Sequence, residues 1–217
     1  MFKSIIEILF LKIRKIYIKK TSKQRKRKLK NYNFTIISNN CWGGLIYQSY
    51  GLKYNSPTIG CYFMSNDYIK FISNIHHYIN QNLCFIDPKT SKWYSEVKSY
   101  KNYGKYPVGK LGDVEIFFMH YNSEEEALKK WNKRKKRINY NNILFKFSEM
   151  NNCNEKDIKQ FQNLKLNNKI CFISKKYKQM KNNYTIVVSK KNVTITKEPF
   201  GNSNKINITK LLNTLKK

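Results

Sequence analysis

From residue 32 onward, stretches typical of β-strands alternate with stretches typical of helices, and this alternation indicates the fold class. The strand-like stretches are short apolar runs rich in β-branched and aromatic residues: FTIIS, LCFID, VEIFFMHY, NILFKF and KICFIS. The clearest helix is SEEEALKKWNKRKKRIN, because Ser123 and Glu126 stand at capping-box spacing, with acids in the first turn and bases in the last. Strands separated by helices predict an α/β domain over residues 32–217, with a single, largely parallel sheet flanked by helices.

Five further stretches add to this prediction. SNDYIKFISNIHHYIN predicts one core-packing helix, because Ser65 is a suitable N-cap and the apolar residues after it share one face. SPTIGCYFM predicts an extended segment. YTIVVS and VTITK predict a pair of terminal strands, and INITKLLNTLKK predicts a closing helix.

The first thirty residues are strongly basic, with twelve Lys and Arg and one Glu. MFKSIIEILFLKIRKIYIKK has apolar residues at helical spacing with bases between them, which predicts a basic amphipathic helix. Its uncharged apolar run is too short to span a bilayer, and Glu7 and Lys12 interrupt any signal-peptide core. We predict a separate arm over residues 1–31 that lies on an anionic cytoplasmic membrane surface; the alternative is a solvated linker helix.

The whole chain carries a formal net charge of +30. Such a charge predicts attraction to a polyanion, although the abundance of Lys, Asn, Ile and Tyr also fits a compositional origin. Nucleic acid is not the predicted partner, because no RNA-recognition, zinc-finger or helix-turn-helix pattern accompanies the basic run KRKKR.

The five cysteines are odd in number and widely spaced, without a CxxC pair. This pattern favours a reduced, cytosolic chain and predicts no zinc or other metal site. Most of the cysteines lie in apolar runs and are expected to pack in the core.

The first candidate site follows the strand FTIIS, in the turn SNNCWGG. Amide side chains can bond hydroxyls or carbonyls of a ligand without carrying charge. The two glycines would let backbone N–H groups approach a ligand at a helix N-terminus, and that position would lower the pKa of the Cys41 thiol, making it a candidate nucleophile. The alternative is structural, with the Asn side chains capping the helix and the rest packing inward. We predict ligand recognition by Asn39, Asn40, Trp42, Gly43 and Gly44.

The second candidate site is the stretch YPVGKLGDVEIFFMHY. Lys110 lies between two glycines in what we interpret as a flexible basic loop resembling a phosphate cradle, although it is not a P-loop. On the strand that follows, Asp113 lies near the start and His120 at the end. The direction of this strand decides whether His120 or the Gly-Asp loop lies beside Cys41, and either side chain would serve as a general base. The alternative for His120 is a strand-end histidine bonded to a carbonyl.

Four long strings occur in an order that resembles a bacterial domain-of-unknown-function family of exopolysaccharide biosynthesis proteins: FTIISNNCWGG, YGLKYNSPTIG, DYIKF and YPVGKLGDVEIFFMHY with EEALKKWNKRKKRIN. The resemblance covers roughly residues 32–175 and implies a cytoplasmic α/β domain encoded among capsule and lipopolysaccharide genes. It carries no established reaction, so it assigns no catalytic residue, and the basic arm lies outside it.

These features together predict a transferase of surface-polysaccharide biosynthesis, peripherally bound to the cytoplasmic face of the membrane. Its substrate would be a glycan or lipid-linked saccharide, with a nucleotide sugar or an acyl thioester as donor; the sequence names no cofactor. Two alternatives stay open. One is a non-enzymatic scaffold that docks on a membrane or nucleic acid, and the other is a hydrolase or transferase that depends on Cys41.

Overall fold

The computed structural model of the protein describes residues 16–18, 20–174, 185–187, 198 and 206–215. Its strands are β1 (Thr35–Ser38), β2 (Cys84–Ile86), β3 (Val108–Leu111), β4 (Val114–Phe117), β5 (Ile143–Ser148), β6 (Lys169–Ile173) and β7 (Thr185–Val187). Its helices are α1 (Trp42–Ser49), α2 (Ser65–Ser73), α3 (Ile75–Asn80), α4 (Tyr94–Val97), α5 (Glu124–Lys135), α6 (Glu155–Asn163) and α7 (Ile208–Thr214). A short 3-10 helix spans Pro88–Thr90, and residues 16–18 and 20–27 are also helical.

Four parallel strands form the main sheet, in the order β1-β5-β6-β7. Thr35 is opposite Ile143 in the first pair, and Phe145 is opposite Lys169 in the second. The predicted α/β class with a largely parallel sheet is therefore confirmed. The stretches LCFID and VEIFFMHY do not join this sheet, because they form a separate antiparallel sheet in the order β2-β3-β4.

Both faces of the parallel sheet are covered, because neighbouring residues of a strand point to opposite faces. On β1, Ile36 packs against α1 and α7, whereas Ile37 packs in the layer that contains α2, α3 and α6. The antiparallel sheet adds Ile116 and Phe118 to that second layer. The result is three layers, with the parallel sheet in the middle.

The antiparallel sheet has a core cluster of its own on its far side. Tyr62 and Phe117 exchange two backbone hydrogen bonds of 3.0 Å, and Val97 and Tyr106 pack against them. The predicted extended segment SPTIGCYFM is thus a series of turns over residues 57–60 that ends in this bridge. This cluster supports one wall of the cavity described below.

The helix predicted over SNDYIKFISNIHHYIN is two helices. Asn74 has φ −140° and ψ 60°, which no helix accommodates, and its side chain accepts a hydrogen bond from the backbone of His77 to begin α3. Ser65 is the first residue of α2 rather than its N-cap, because its hydroxyl donates to the carbonyl of Met150 at 2.7 Å. The apolar residues predicted to face the core are nevertheless the buried residues of the two helices.

The predicted basic loop is a β-hairpin. Lys110 belongs to β3, and the chain reverses through Gly112, at φ +58°, and Asp113 into β4. β4 ends at Phe117, because the chain then turns so that the backbone N–H of His120 donates to the carbonyl of Gly60 at 3.2 Å. His120 is therefore not on the strand, as the prediction had it.

The remaining predicted elements have mixed outcomes. The strand in YTIVVS is β7, which pairs parallel to β6, while its predicted partner VTITK lies outside the described residues, as do residues 1–15 of the arm. The helix predicted over SEEEALKKWNKRKKRIN is confirmed as α5, and the helix predicted over INITKLLNTLKK is confirmed as α7. Among the residues that the structure describes, no helix is long and apolar enough to cross a membrane.

Candidate functional site

The loops that follow β1 and β5 build the site, because these strands are parallel neighbours and their carboxyl ends open at the same edge. Asn39 joins the two loops. Its side-chain amide donates to the carbonyl of Ser148 at 3.0 Å, and its side-chain carbonyl accepts from the backbone N–H of Ser148 at 3.1 Å. Since Asn39 is completely buried, its position fits strand joining rather than contact with a ligand.

A buried ion pair lies at this edge, between Lys146 of β5 and Glu198. The Lys146 ammonium donates to the Glu198 carboxylate and, at 2.8 Å, to the side-chain carbonyl of Asn40. Glu198 also accepts from the hydroxyl of Ser148 and, at 2.9 Å, from the amide of Asn40. The Lys146 side chain is 0% exposed, whereas that of Glu198 is 14% exposed. The carboxylate is therefore the charged group of this network that a ligand can reach.

Aromatic rings surround the lysine head group. Its Nζ lies 5.8 Å from the ring centre of Trp42 and 5.5 Å from that of Phe172. Burial lowers the pKa of Lys146, and the Glu198 carboxylate acts in the opposite direction. A buried charge is tolerated only when it is paired and hydrogen-bonded, so the members of this network depend on one another.

A cavity of about 360 Å³ opens beside Glu198. Its lining is part polar and part aromatic, and consists of Asn40, Cys41, Trp42, Leu45, Tyr62, Tyr100, Lys101, Tyr106, Met119, Met150, Asn151 and Glu198. A larger depression, of about 440 Å³ between α2 and α6, shares none of these residues and has no acidic or histidine side chain in its lining. The smaller cavity, unlike that depression, has a carboxylate in its lining.

Two tyrosine hydroxyls meet in the wall of the cavity. The oxygens of Tyr62 and Tyr106 are 2.8 Å apart, and the ring of Phe117 stacks on that of Tyr62 with 4.6 Å between centres. Burial raises the pKa of both phenols, so both stay protonated at neutral pH. The wall therefore offers neutral hydroxyls on a firmly packed aromatic surface.

The connection over residues 87–107, which carries Tyr100, Lys101 and Tyr106, is anchored by buried carboxylates. Asp67 accepts from the indole N–H of Trp93 at 2.7 Å, and Glu115 accepts a hydrogen bond from the same connection. A long connection with only two short helical turns is thereby held against the antiparallel sheet. These hydrogen bonds fix the position of the cavity wall within the folded domain.

The loop after β5 contains two residues in the left-handed region, Asn151 at φ 56° and Asn152 at φ 60°. Asn is among the few residues that adopt this conformation readily. Asn151 lines the cavity, and its side-chain amide donates to the carbonyl of Phe63 at 2.9 Å. Uncommon backbone of this kind is concentrated at functional sites, which agrees with the placement of the cavity.

Cys41 lines the cavity but does not have the predicted reactivity. The residue is half-buried, and burial raises the pKa of its thiol to about 11; the nearby Lys146 ammonium lowers it only in part. The predicted lowering at the start of α1 is therefore wrong, because desolvation exceeds the effect of the positive charge. At neutral pH the thiol is protonated and is a weak nucleophile.

The two glycines of the turn serve close packing. A Cβ on Gly43 would lie 3.2 Å from the side chain of Ile36, and one on Gly44 would lie 3.2 Å from that of Ile59. Neither glycine lines the cavity, so the structure does not place them against a ligand as predicted. Their neighbour Trp42 does line it.

The second predicted site is not assembled with the first. Lys110 and Asp113 lie at the hairpin end away from Tyr106, and neither lines the cavity. The Asp113 carboxylate is exposed; hydrogen bonds from Lys70 and then Tyr78 lower its pKa. His120 is also exposed outside the lining, and desolvation lowers the pKa of its imidazole. Of this stretch Tyr106 and Met119, which no prediction named, line the cavity.

The described cysteines are free thiols, and two of the expected core cysteines, Cys61 and Cys171, are fully buried. Cys84 is exposed, which differs from the expected packing of the apolar run LCFID. Within the described ranges, no group of three or more His, Cys, Asp and Glu side chains is arranged to hold a metal ion.

Neither partner of the ion pair was predicted from the sequence. A signal for Lys146 was present, because a lysine interrupts the otherwise apolar run NILFKF and such a lysine is buried only when it is paired. Glu198 had no local signal, since it reaches the site from 50 residues beyond Ser148. Tyr106 likewise lies at the end of a connection that has no periodic pattern, and Tyr62 follows a segment of turns.

Comparison with known proteins identifies the family. The model of a domain of unknown function, DUF1919, matches residues 12–215. An uncharacterized protein of Haemophilus influenzae is 37% identical over 160 residues, which are 74% of this chain and 71% of that protein. The chain therefore belongs to the DUF1919 family. Neither the family description nor the name of the relative states a function.

Proposed function

We propose that this member of the DUF1919 family is a transferase of bacterial surface-polysaccharide biosynthesis that binds a saccharide acceptor in the cavity beside Glu198. One observation carries the proposal: a partly exposed carboxylate, held by three donors, adjoins a cavity that also has an aromatic wall. The resemblance of its sequence strings to exopolysaccharide biosynthesis proteins supports the choice of pathway.

The lining of the cavity suits a sugar ring. The apolar C–H face of a pyranose packs on aromatic rings. The lining contains four, Trp42, Tyr62, Tyr100 and Tyr106, of which Tyr100 is the most exposed at 38%. Its hydroxyls need both donors and acceptors, which Asn40, Glu198 and the two phenols provide. The volume of about 360 Å³ is within the range of small-ligand sites.

Glu198 is the general base in this proposal. The oxygen of an acceptor hydroxyl forms a bond to the anomeric or acyl carbon of the donor, the bond from that carbon to the leaving group breaks, and the hydroxyl proton moves to Glu198. Lys146 acts as a positioning residue, because it holds the carboxylate while its own side chain is completely buried. Asn40 also donates to the carboxylate, and since it lines the cavity it can bond the substrate as well.

The donor belongs to one of two anionic classes, a nucleotide sugar or an acyl-coenzyme A. Lys101 is exposed at the cavity and carries the positive charge that either class would meet. A mechanism through Cys41 is disfavoured by its raised pKa. The proposed reaction takes place at the cytoplasmic face of the membrane, where such donors are available.

The experiment is thermal unfolding of the full chain with nucleotide sugars, acetyl-coenzyme A, free nucleotides and neutral oligosaccharides. A ligand present at about 100 times its dissociation constant stabilises by about 2.7 kcal/mol, which raises the melting temperature of a chain this size by roughly 5 to 10 °C. We expect a shift with one donor class and one saccharide, and a smaller shift for Tyr106→Ala.

The matched control is Tyr140→Ala, an exposed tyrosine away from the cavity lining, which should leave the ligand shifts unchanged. Shifts with no saccharide and no donor, or shifts that survive Tyr106→Ala, would contradict the proposal.

A further inference from the structure

The helix near the amino terminus has two different faces. Ile18, Ser22 and Arg25 recur at the spacing of one helical face, and Leu29 follows them just after the helix ends. Ile16, Lys20, Lys23 and Arg27 recur on the opposite face. The first face is half-buried or buried and the second is exposed. The helix therefore has an inner and an outer side.

The inner side is attached to the domain by specific contacts. Arg25 donates to the carbonyl of Ser49 at 2.6 Å and to that of Ile18 at 2.8 Å. Leu29 is 6% exposed and belongs to the core cluster beneath α1 and α7. Further on, the backbone N–H of Lys30 donates to the side chain of Asn213 at 2.8 Å. The outer side is thus held in a fixed orientation.

The outer side carries positive charge without nearby acids. The chain has no Asp or Glu between Glu7 and Asp67, and none after Glu198. None of the ion pairs among the described residues involves residues 16–33. The positive potential of this surface is therefore not neutralised locally.

Apolar side chains lie among these charges. Ile16 is 56% exposed and Tyr17 is 63% exposed, the two largest exposures among the big apolar residues that the structure describes. Tyr32 is also exposed, with the Nζ of Lys26 5.3 Å from its ring centre. Exposed aromatic and apolar groups beside lysines are the composition of helices that lie in a bilayer interface.

We infer that this outer side, made of Ile16, Tyr17, Lys20, Lys23, Lys26, Arg27 and Tyr32, docks the folded domain on an anionic phospholipid bilayer. The lysines and arginine bind lipid phosphates, and Ile16 and Tyr17 enter the interface between head groups and acyl chains. A bilayer fits better than a nucleic acid, because an apolar pair beside the basic row has no counterpart on a phosphodiester backbone.

A cleft continues the basic surface towards α7. It has a volume of about 410 Å³ and is lined by Lys28, Lys30 and Lys210 together with the polar residues Asn207, Thr209 and Asn213. Three ammonium groups with no carboxylate among them suit a phosphate group. We assign a lipid head-group phosphate to this cleft.

The test is co-sedimentation of the full chain with phosphatidylcholine vesicles that contain or lack phosphatidylglycerol. We expect binding only to the anionic vesicles. Each basic residue near the surface contributes roughly fivefold in affinity, so the variant K20Q/K23Q/R27Q should lose on the order of a hundredfold. The variant I16S/Y17S should lose the part of the binding that survives in high salt, because salt screens only the charge contribution.

The matched control is K129Q/K133Q/K136Q, which removes the same charge from two exposed lysines of α5 and from the exposed lysine that follows it. The control should bind within a few-fold of the parent. An equal loss in both triple variants would overturn the inference, because net charge alone would then govern binding. Equal binding to both vesicle types, or binding to duplex DNA without binding to anionic vesicles, would overturn it as well.

A last experiment distinguishes a lipid phosphate from a free phosphate ion in the cleft. Inorganic phosphate at the same ionic strength as a sodium chloride control should release no more protein from the vesicles than the chloride does. K210Q should bind the anionic vesicles roughly fivefold more weakly than the parent. Equal vesicle binding by K210Q and the parent would show that the cleft takes no lipid phosphate.

Discussion

Lysine side chains have opposite surroundings at the cavity beside Glu198 and on the amino-terminal helix. Lys146 is enclosed, with a carboxylate, an amide and two aromatic rings around its ammonium. Lys20 and Lys23, on the amino-terminal helix, are exposed in a part of the chain without acids. A buried lysine requires a partner and can therefore shape a site, whereas exposed lysines without partners attract whatever anion the environment offers.

The comparison also explains how a basic chain distributes its few acids. Of the thirteen Asp and Glu, four are almost completely buried, namely Asp67, Glu115, Glu149 and Asp157. They accept hydrogen bonds within the fold, as Asp67 does from Trp93 and Asp157 does from Asn154 at 3.0 Å. Acids used in this way do not neutralise the outer lysines, so the surface is more positive than composition alone indicates.

The largest expected change in stability comes from breaking the buried ion pair of Lys146 and Glu198. Glu198→Gln should lower the free energy of unfolding by about 3 kcal/mol, because it leaves the Lys146 ammonium buried without its counter-charge. Urea unfolding followed by circular dichroism measures this change. The control is Glu125→Gln in the exposed first turn of α5, which should change stability by no more than about 0.5 kcal/mol. Equal, small effects in both variants would show that the pair is not needed by the fold.

The next effect tests whether the basic helix is part of the folded domain. Leu29→Ala should cost about 2 to 3 kcal/mol, because it removes a buried side chain from the cluster beneath α1 and α7. Its neighbour Lys28 is exposed, so Lys28→Ala should be nearly neutral under the same urea titration. If Leu29→Ala were neutral too, the segment would not be docked as described.

A smaller effect concerns Cys41 and pH. The thiol ionises at 9.0 in an unfolded chain and at about 11 when folded. Its stabilising contribution is therefore complete below pH 9 and is lost as the pH rises towards 11, by about 1 kcal/mol between pH 8 and 10. Subtracting the same pH series for Cys41→Ala isolates this term, since the other thiols and phenols are common to both proteins. An identical pH dependence in the two proteins would mean that Cys41 is not desolvated.

The smallest expected effect on stability is at the outer side of the helix. K20Q/K23Q/R27Q should change the free energy of unfolding by no more than about 0.5 kcal/mol, because these side chains are exposed. The same variant is expected to lose most of its vesicle binding. A loss of stability comparable to that of Leu29→Ala would contradict the division into an inner and an outer side.

The sequence predicted the parallel sheet well, because its strands are continuous apolar runs and its helices have caps. The hairpin around Gly112 was misread, since a glycine in a tight turn and a glycine in a phosphate loop look alike without knowledge of strand pairing. The break at Asn74 was invisible for a related reason: the apolar face continues through it, and only the backbone angles change.

Only part of the candidate site could be predicted from the sequence. The turn after β1 contributes Asn40, Cys41 and Trp42 to the cavity, as expected for a loop at the carboxyl end of a strand. Glu198 and Tyr106 reach it through contacts across long stretches of chain, which no local pattern encodes. The predicted fall in the pKa of Cys41 failed because burial cannot be read from the residues around a turn.

The most direct measurement compares Glu198→Gln with the double variant Lys146→Met/Glu198→Gln, for stability and for transfer to the saccharide found by the melting screen. Removing both charges of a buried pair is often close to neutral for the fold, so the double variant should recover most of the stability that Glu198→Gln loses. If Glu198 is the general base, transfer stays abolished in the stable double variant while the saccharide still binds. Transfer restored together with stability would contradict the account, because Glu198 would then serve only the fold.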